Sequence, residues 1–472
     1  MLTFNSGHMK SLYQIATLSF VLLGFSGCKK YVDIKTQGNL VPNQTINFRY
    51  LLNNNQTLEA TSGLADLASS DININDAQQM TDLTNGSYNS FINTYTWQNN
   101  IFILGSNDEN DYNWAALYTK ILNCNTIINE LPASEGTDAE KAALTAEALV
   151  HRADAYFTLV NTYAKPYTAT TASTDLGVPL LVQQTVSQSL NRATVKVIYD
   201  QVISDLTTAI PTLPVTQQMN TLPSKSSAYG ELARVYLYMH DYENAARYAD
   251  LALASRNTLV DLSVMDATTL STYPVRFVNP EILLSEIPQR GGFSYAPQVM
   301  KLSDEYLALL GTKDQRYTLF TTAAVNISGT YTGRFFSKEV ATGQTRNEGP
   351  SVPEMILIKA ETFARAGDIS SAMQWVNNLR VKRFRAADYV ALTAANANDA
   401  LVKVIDERRR EFFGTSIRWW DMRRLKDEPL FQRTYTRTFS GITYTLAPNS
   451  NHYVFPIAAK LIQLNPELEP NP

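Results

Sequence analysis

Apolar residues return every three or four positions through Asn110–Leu131, Asp138–Ala164, Ala193–Leu213, Ser224–Met239, Tyr242–Ala254, Val352–Ala366, Ile369–Phe384 and Ala397–Phe413. This period matches the turn of an α-helix, so each stretch predicts an amphipathic helix. Pro132, Pro166, Pro211, Pro214, Gly311 and Gly367 stand at the expected ends. There a missing N–H or a freely rotating backbone stops a helix. Two predicted helix pairs can be laid over one another. Residues 230–245 match 357–372, with Ala233 on Ala360, the turn His240-Asp241 on Gly367-Asp368, and Ala245 on Ala372. Small residues at such points let antiparallel helices approach closely, which is the tetratricopeptide pattern. A pair of this kind buries its face only against neighbours, so the helices around 110–165 and 193–213 should extend the stack.

Between the helices lie Asp66–Asn113, Tyr167–Gln188, Ser255–Met300 and Lys313–Pro350, which show no helical period and are rich in Asn, Thr, Tyr, Phe and Gly. Segments this long inside a compact body are uncommon unless they do something. The expected fold is therefore mostly α: a tetratricopeptide-like frame of helical hairpins with long irregular loop excursions and a few short strands.

Composition narrows the function. The chain has 44% hydrophobic and 18% charged residues, enough to bury a large core, and a formal net charge of −4. No basic stripe is present, so nucleic acid is not an expected partner. At the N-terminus Met9-Lys10 precedes an apolar run, Leu12–Phe25, that ends in Ser26-Gly27-Cys28. The run is short for a transmembrane helix and fits a secretory signal. Residues 24–28 resemble a lipobox, with Phe25 where Leu is usual. The expectation is a signal peptide over residues 1–27, a lipid anchor on Cys28 and one domain over 28–472, with Met9 as an alternative start. The other cysteine, Cys124, then has no partner and falls on a helical face as a small core residue. The histidines His8, His151, His240 and His452 are too scattered for a metal site or a nucleophilic triad.

Five segments follow one another in a recognisable order: residues 148–163, beginning Ala-Leu-Val-His-Arg-Ala-Asp-Ala-Tyr-Phe; Gly177-Val-Pro-Leu-Leu181; Asp406-Glu-Arg-Arg-Arg-Glu-Phe-Phe-Gly414; Arg418-Trp-Trp-Asp-Met-Arg-Arg-Leu425; and Val454-Phe-Pro-Ile457 with Leu464-Asn-Pro466. This ordered set resembles the SusD/RagB family across nearly the whole mature chain. His151 before Arg152 is a departure, since a bulkier apolar residue often stands there. The resemblance implies a non-enzymatic glycan-binding lipoprotein on the outer membrane, without cofactor. It would serve a SusC-like TonB-dependent transporter and be held by lipid on Cys28. It also leaves open a peptide ligand, as in RagB-like members, and a tetratricopeptide scaffold that binds only protein.

Glu407, Glu411 and Asp421 stand among Arg408, Arg409, Arg410, Arg418, Arg423 and Arg424. A carboxylate pair with one raised pKa would suit glycoside hydrolysis, but adjacent guanidinium groups hold carboxylates ionised. The expectation is a structural ion-pair network of Glu407, Arg408, Arg409, Glu411, Arg418 and Asp421, with no catalytic residue. Binding a sugar wants an aromatic face flanked by groups that meet hydroxyls. Tyr95-Thr-Trp97-Gln-Asn99-Asn100 supplies both, and Trp97 is equally suited to plug its loop into the core. Tyr295, Tyr331 and Arg334 are further candidates in aromatic loops. Asp71 and Asn73 lie in a segment, 71–82, that faintly resembles a calcium loop. Asp76 replaces its turn glycine and Asp82 its bidentate glutamate, so a polar loop near the ligand surface is expected, not a metal site, with Asp82 or Thr81 capping the next helix. Trp114, Trp375, Trp419 and Trp420 are expected in the core.

Overall fold

The computed structural model describes residues 42–185, 187–288, 300–323 and 331–471. Cys28 and Tyr295 lie outside the described residues. Residues Gln44–Pro472 form one compact unit.

The frame is built from α1 (Tyr112–Glu130), α2 (Asp138–Tyr163), α3 (Val195–Ala209), α4 (Lys225–Tyr238), α5 (Tyr242–Ser255), α6 (Val352–Arg365), α7 (Ile369–Arg380), α8 (Ala397–Glu411) and α9 (Ser416–Leu425). Up to α7 each packs on the next in sequence, so the chain lays down a row of antiparallel helices, and α8 closes the row on α6 and α7. Most starts are fixed by side chains that accept otherwise orphaned N–H groups. Asp111 accepts from Asn113 and Trp114, Thr194 from Val197, and Asn396 from Asp399, while Thr137 and Glu140 form a reciprocal capping box.

The two matched helix pairs also share their turn. His240 (φ 61°) and Gly367 (φ 83°) both take the left-handed backbone. The following Asp241 and Asp368 cap the second helix through Asn244 and Ser371 N–H. Ala233, Ala245, Ala360 and Ala372 are fully buried. Helix α2 is the axis of the body, enclosed on every side from Ala146 to Tyr163. Its buried charged groups are paired: Glu147 with Arg49, Arg152 with Asp205 and Asn125, Asp154 with Lys120. Burial pushes the Cys124 thiol up to about 12, so it is an inert core residue.

The excursions are less irregular than their sequence suggests. Residues Asp66–Asn113 contain the helices Ala77–Asn85 and Asn89–Tyr95, and Lys313–Pro350 contains Gln315–Phe320 and Lys338–Thr342. Asp76, not Asp82 or Thr81, caps Ala77–Asn85. Among the described residues the strands pair two by two. β1 (Ala60–Thr61) runs parallel to β4 (Ile287–Pro288), and β2 (Leu176–Pro179) antiparallel to β3 (Arg192–Thr194). β5 (Thr321–Thr322) pairs with β6 (Phe335–Phe336). β7 (Tyr435–Phe439) and β8 (Ile442–Leu446) make a hairpin, Tyr435 opposite Leu446. Its turn residues Ser440 and Gly441 both have positive φ, which matches the twist of a two-residue hairpin. No helix among the described residues is long and apolar enough to cross a membrane.

Candidate functional site

The loop system 86–113 carries an open cleft of about 220 Å³, lined by Tyr88, Phe91, Phe102, Asn107, Asn110 and Tyr112 among others. The sequence makes this shape locally. Gly86 and Ser87, the latter at φ 57°, end the helix Ala77–Asn85 and swing Tyr88 outward. The Tyr88 ring stacks on Phe91 at 5.2 Å and 8°. Ser90 N–H donates to Asp108 Oδ2 at 2.5 Å, Ser106 Oγ donates to Asp108 Oδ1, and Gly105 N–H donates to Glu109, which Lys460 clamps at 2.6 Å. The far wall is thereby held in place. Asp111 is spent capping α1, so Tyr112 in its first turn projects to solvent. Tyr88 is 47% and Tyr112 49% exposed, and Ile103 and Leu104 beside them are also open. Among the described residues the Asn107 and Asn110 amides make no hydrogen bond to protein. Chemically the cleft offers two aromatic faces and unspent amides, a pairing that suits stacking on C–H faces and hydrogen bonding to hydroxyls.

The residues singled out from sequence go elsewhere. Trp97 is a core plug: it is 3% exposed, its indole N–H donates to the Ala68 carbonyl at 2.9 Å, and Arg437 lies 4.2 Å from its ring centre. Its φ of 53° is strained for a bulky side chain, and these contacts hold it there. Tyr95 is fully buried, accepting from Ile74 N–H and donating to Asn73. Asp71 is buried against Arg409 at 2.6 Å and Arg418 at 3.5 Å, which corrects its placement on a ligand surface. Tyr331 is buried and donates to Asp82, while Thr332 donates to Asp76, so this loop is pinned onto the helix Ala77–Asn85. Arg334 lies over Tyr317 at 4.0 Å with its Nε–H on Thr321. Among the described candidates Asn99 and Asn100 alone stay exposed. They follow Trp97 and do not line the cleft. Trp114, Trp419 and Trp420 are in the core; Trp375 is half-buried at its edge.

The arginine-rich signature is interior. Arg316 reaches Asp314, Glu407 and Glu411 at 2.6 Å each. Arg408 and Arg424 share Asp421, and Arg424 also takes Glu361. Burial works to raise Glu407, but Arg316, Arg410 and Arg380 outweigh it and hold the carboxyl at about 2. Glu411 is likewise held at about 2, by Arg383 and Arg316 against burial. Carboxylates so fixed in the ionised form do not supply a proton at neutral pH.

Residues 30–237 match a family model described as "Starch-binding associating with outer membrane", and residues 310–472 match the model of the SusD family. The chain belongs to the SusD/RagB family. A SusD superfamily protein of Bacteroides thetaiotaomicron, 21% identical, superposes with a TM-score of 0.70 over 91% of this chain and 100% of its own. A SusD superfamily protein of Bacteroides vulgatus, 20% identical, gives 0.70 over 91% and 99%. A laminarin-binding SusD-like protein, 17% identical, gives 0.64 over 92% and 100%. At these identities the likeness shows that the SusD-like helical fold is shared. No curated relative matches the chain. Sequence reading singled out residues 95–100 of the loop system that carries this cleft, but not the cleft's own Tyr88, Phe91, Asn107, Asn110 and Tyr112. The available signals were the Gly86-Ser87 turn before Tyr88 and the cap residue Asp111 before Tyr112.

Proposed function

We propose that this protein is a non-catalytic cell-surface receptor for oligosaccharides, anchored by acylated Cys28. It would pass its ligand to a SusC-like TonB-dependent transporter in the outer membrane. The observation that carries the binding role is the cleft of exposed Tyr88 and Tyr112 with the unspent amides of Asn107 and Asn110. The family model's description and the laminarin-binding relative supply the ligand class. The Arg-held carboxylates of the signature favour binding without turnover. Exposed Ile103 and Leu104 give the peptide reading a specific footing, since apolar side chains would rest on them.

A binding screen separates these readings. Calorimetric titration against laminarin, starch oligosaccharides and mixed peptides should give saturable binding to a saccharide, with no new reducing ends after prolonged incubation. Binding to peptides alone would overturn the glycan reading, and release of reducing ends would overturn the non-catalytic one. Co-purification of a transporter from membranes, lost with Cys28→Ala, tests the anchor and the partner.

A further inference from the structure

Among the described residues the lining of the Tyr88 cleft holds one charged side chain, Asp108, and no lysine, arginine or histidine. Asp108 is half-buried and accepts two hydrogen bonds, from the Ser90 N–H on Oδ2 and from the Ser106 hydroxyl on Oδ1. Neither donor is charged, and among the described residues no cation pairs with the carboxylate. Lys460, which reaches this loop from the C-terminal helix Ala459–Leu464, is committed to Glu109 at 2.6 Å. Asp111 is turned inward, where it caps α1 and takes the Tyr163 hydroxyl. The cleft therefore presents one negative charge with no counter-ion beside its two exposed tyrosines.

A carboxylate has about four lone-pair positions, and two of those on Asp108 are used. The other two can accept from ligand hydroxyls, and a hydrogen bond to a charged acceptor is about twice as strong as one between neutral groups. A carboxylate or sulfate on the ligand has no proton to donate at neutral pH, so it cannot pair with Asp108 and repels it. Against the apolar walls of Phe91 and Phe102 this repulsion is screened less than in bulk water. We propose that the cleft selects uncharged saccharides over uronate- or sulfate-bearing ones, and that Asp108 sets the preference by accepting from a pair of ligand hydroxyls. This assignment rests on the glycan reading above and adds to it the charge class of the ligand.

The test is titration calorimetry on the full mature chain with a panel of neutral oligosaccharides, laminarin and starch fragments among them. Each is paired with the same saccharide carrying carboxylates in place of its primary alcohols. At low ionic strength the neutral member of a bound pair should bind at least tenfold more tightly. Added salt should narrow that ratio, which a purely steric preference would not allow. Asp108→Asn, which removes the charge and keeps the shape, should weaken the neutral saccharide and narrow the ratio at least threefold. Should that variant fail to fold, the salt dependence of the wild type decides. An oxidised saccharide bound as tightly as its neutral parent, or a ratio that salt leaves unchanged, would overturn the charge assignment and leave the glycan reading standing. A ratio that Asp108→Asn leaves unchanged in a folded variant would overturn the role of Asp108. Binding to no saccharide of either kind would overturn the glycan reading and this assignment together.

Discussion

Trp97 and Tyr88 belong to one loop system and do opposite work. Trp97 is enclosed by Ala68 and Arg437, so Trp97→Ala should cost about 3–5 kcal/mol in denaturant unfolding, as large core truncations do. Tyr88 faces water, and Tyr88→Ala should leave stability within about 0.5 kcal/mol while weakening saccharide binding. Sequence chemistry identified an aromatic, amide-rich loop, but which ring turns inward is decided by Arg437 and Phe439 on a hairpin far along the chain. That contact leaves no local trace. A second residue gives a pH signature. Glu231 is buried with neither carboxyl oxygen hydrogen-bonded, and its nearest cation, Arg234, is 3.8 Å away. Burial, opposed by Arg234 and aided by Asp154 and Glu354, pushes it up to about 8 from an ordinary 4.5. The folded protein therefore keeps a proton that the unfolded chain releases. This stabilisation is full below about pH 4.5 and is lost as pH rises through 8. Glu231→Gln should raise the melting temperature more at pH 8.5 than at pH 5; an equal gain at both would contradict the assignment.

At the scale of elements, the frame was legible because its helices are long enough to show several periods of the apolar pattern. The predicted Val352–Ala366 and the observed Val352–Arg365 differ by one residue. The short helices Ala77–Asn85 and Asn89–Tyr95 escaped notice because two turns of Asn, Thr and Gln carry no clear period. The repeated turn is the sharpest local test. A Cβ at Gly367 would meet nothing within 4 Å, so Gly367→Ala bears only the cost of its left-handed backbone, about 1 kcal/mol. Chemical denaturation should show that loss with an unchanged m-value. Gly414, at φ 71°, is different, since a Cβ there would lie 2.8 Å from the Phe336 ring and push β6 away.

The whole molecule is tied together by the arginines of the C-terminal signature. Arg409 reaches Asp71 in the first excursion and Glu305 on the short helix Asp304–Leu310, and Arg424 reaches Glu361 on α6. The signature's own charges could be read from sequence, whereas Arg316, Arg380 and Arg383, which complete the network from other elements, could not. Removing one member of a buried pair strands its partner, so Arg409→Ala should destabilise by about 3–5 kcal/mol and reduce soluble yield. A normally folded variant that had lost only ligand affinity would contradict this structural role. The account rests on a rigid helical frame presenting the Tyr88–Tyr112 cleft to saccharides. Calorimetric titration of one bound polysaccharide against wild type, Tyr88→Ala and Tyr112→Ala tests it most directly. Each variant should melt like wild type and lose at least tenfold in affinity, and unchanged affinity in both would contradict the account.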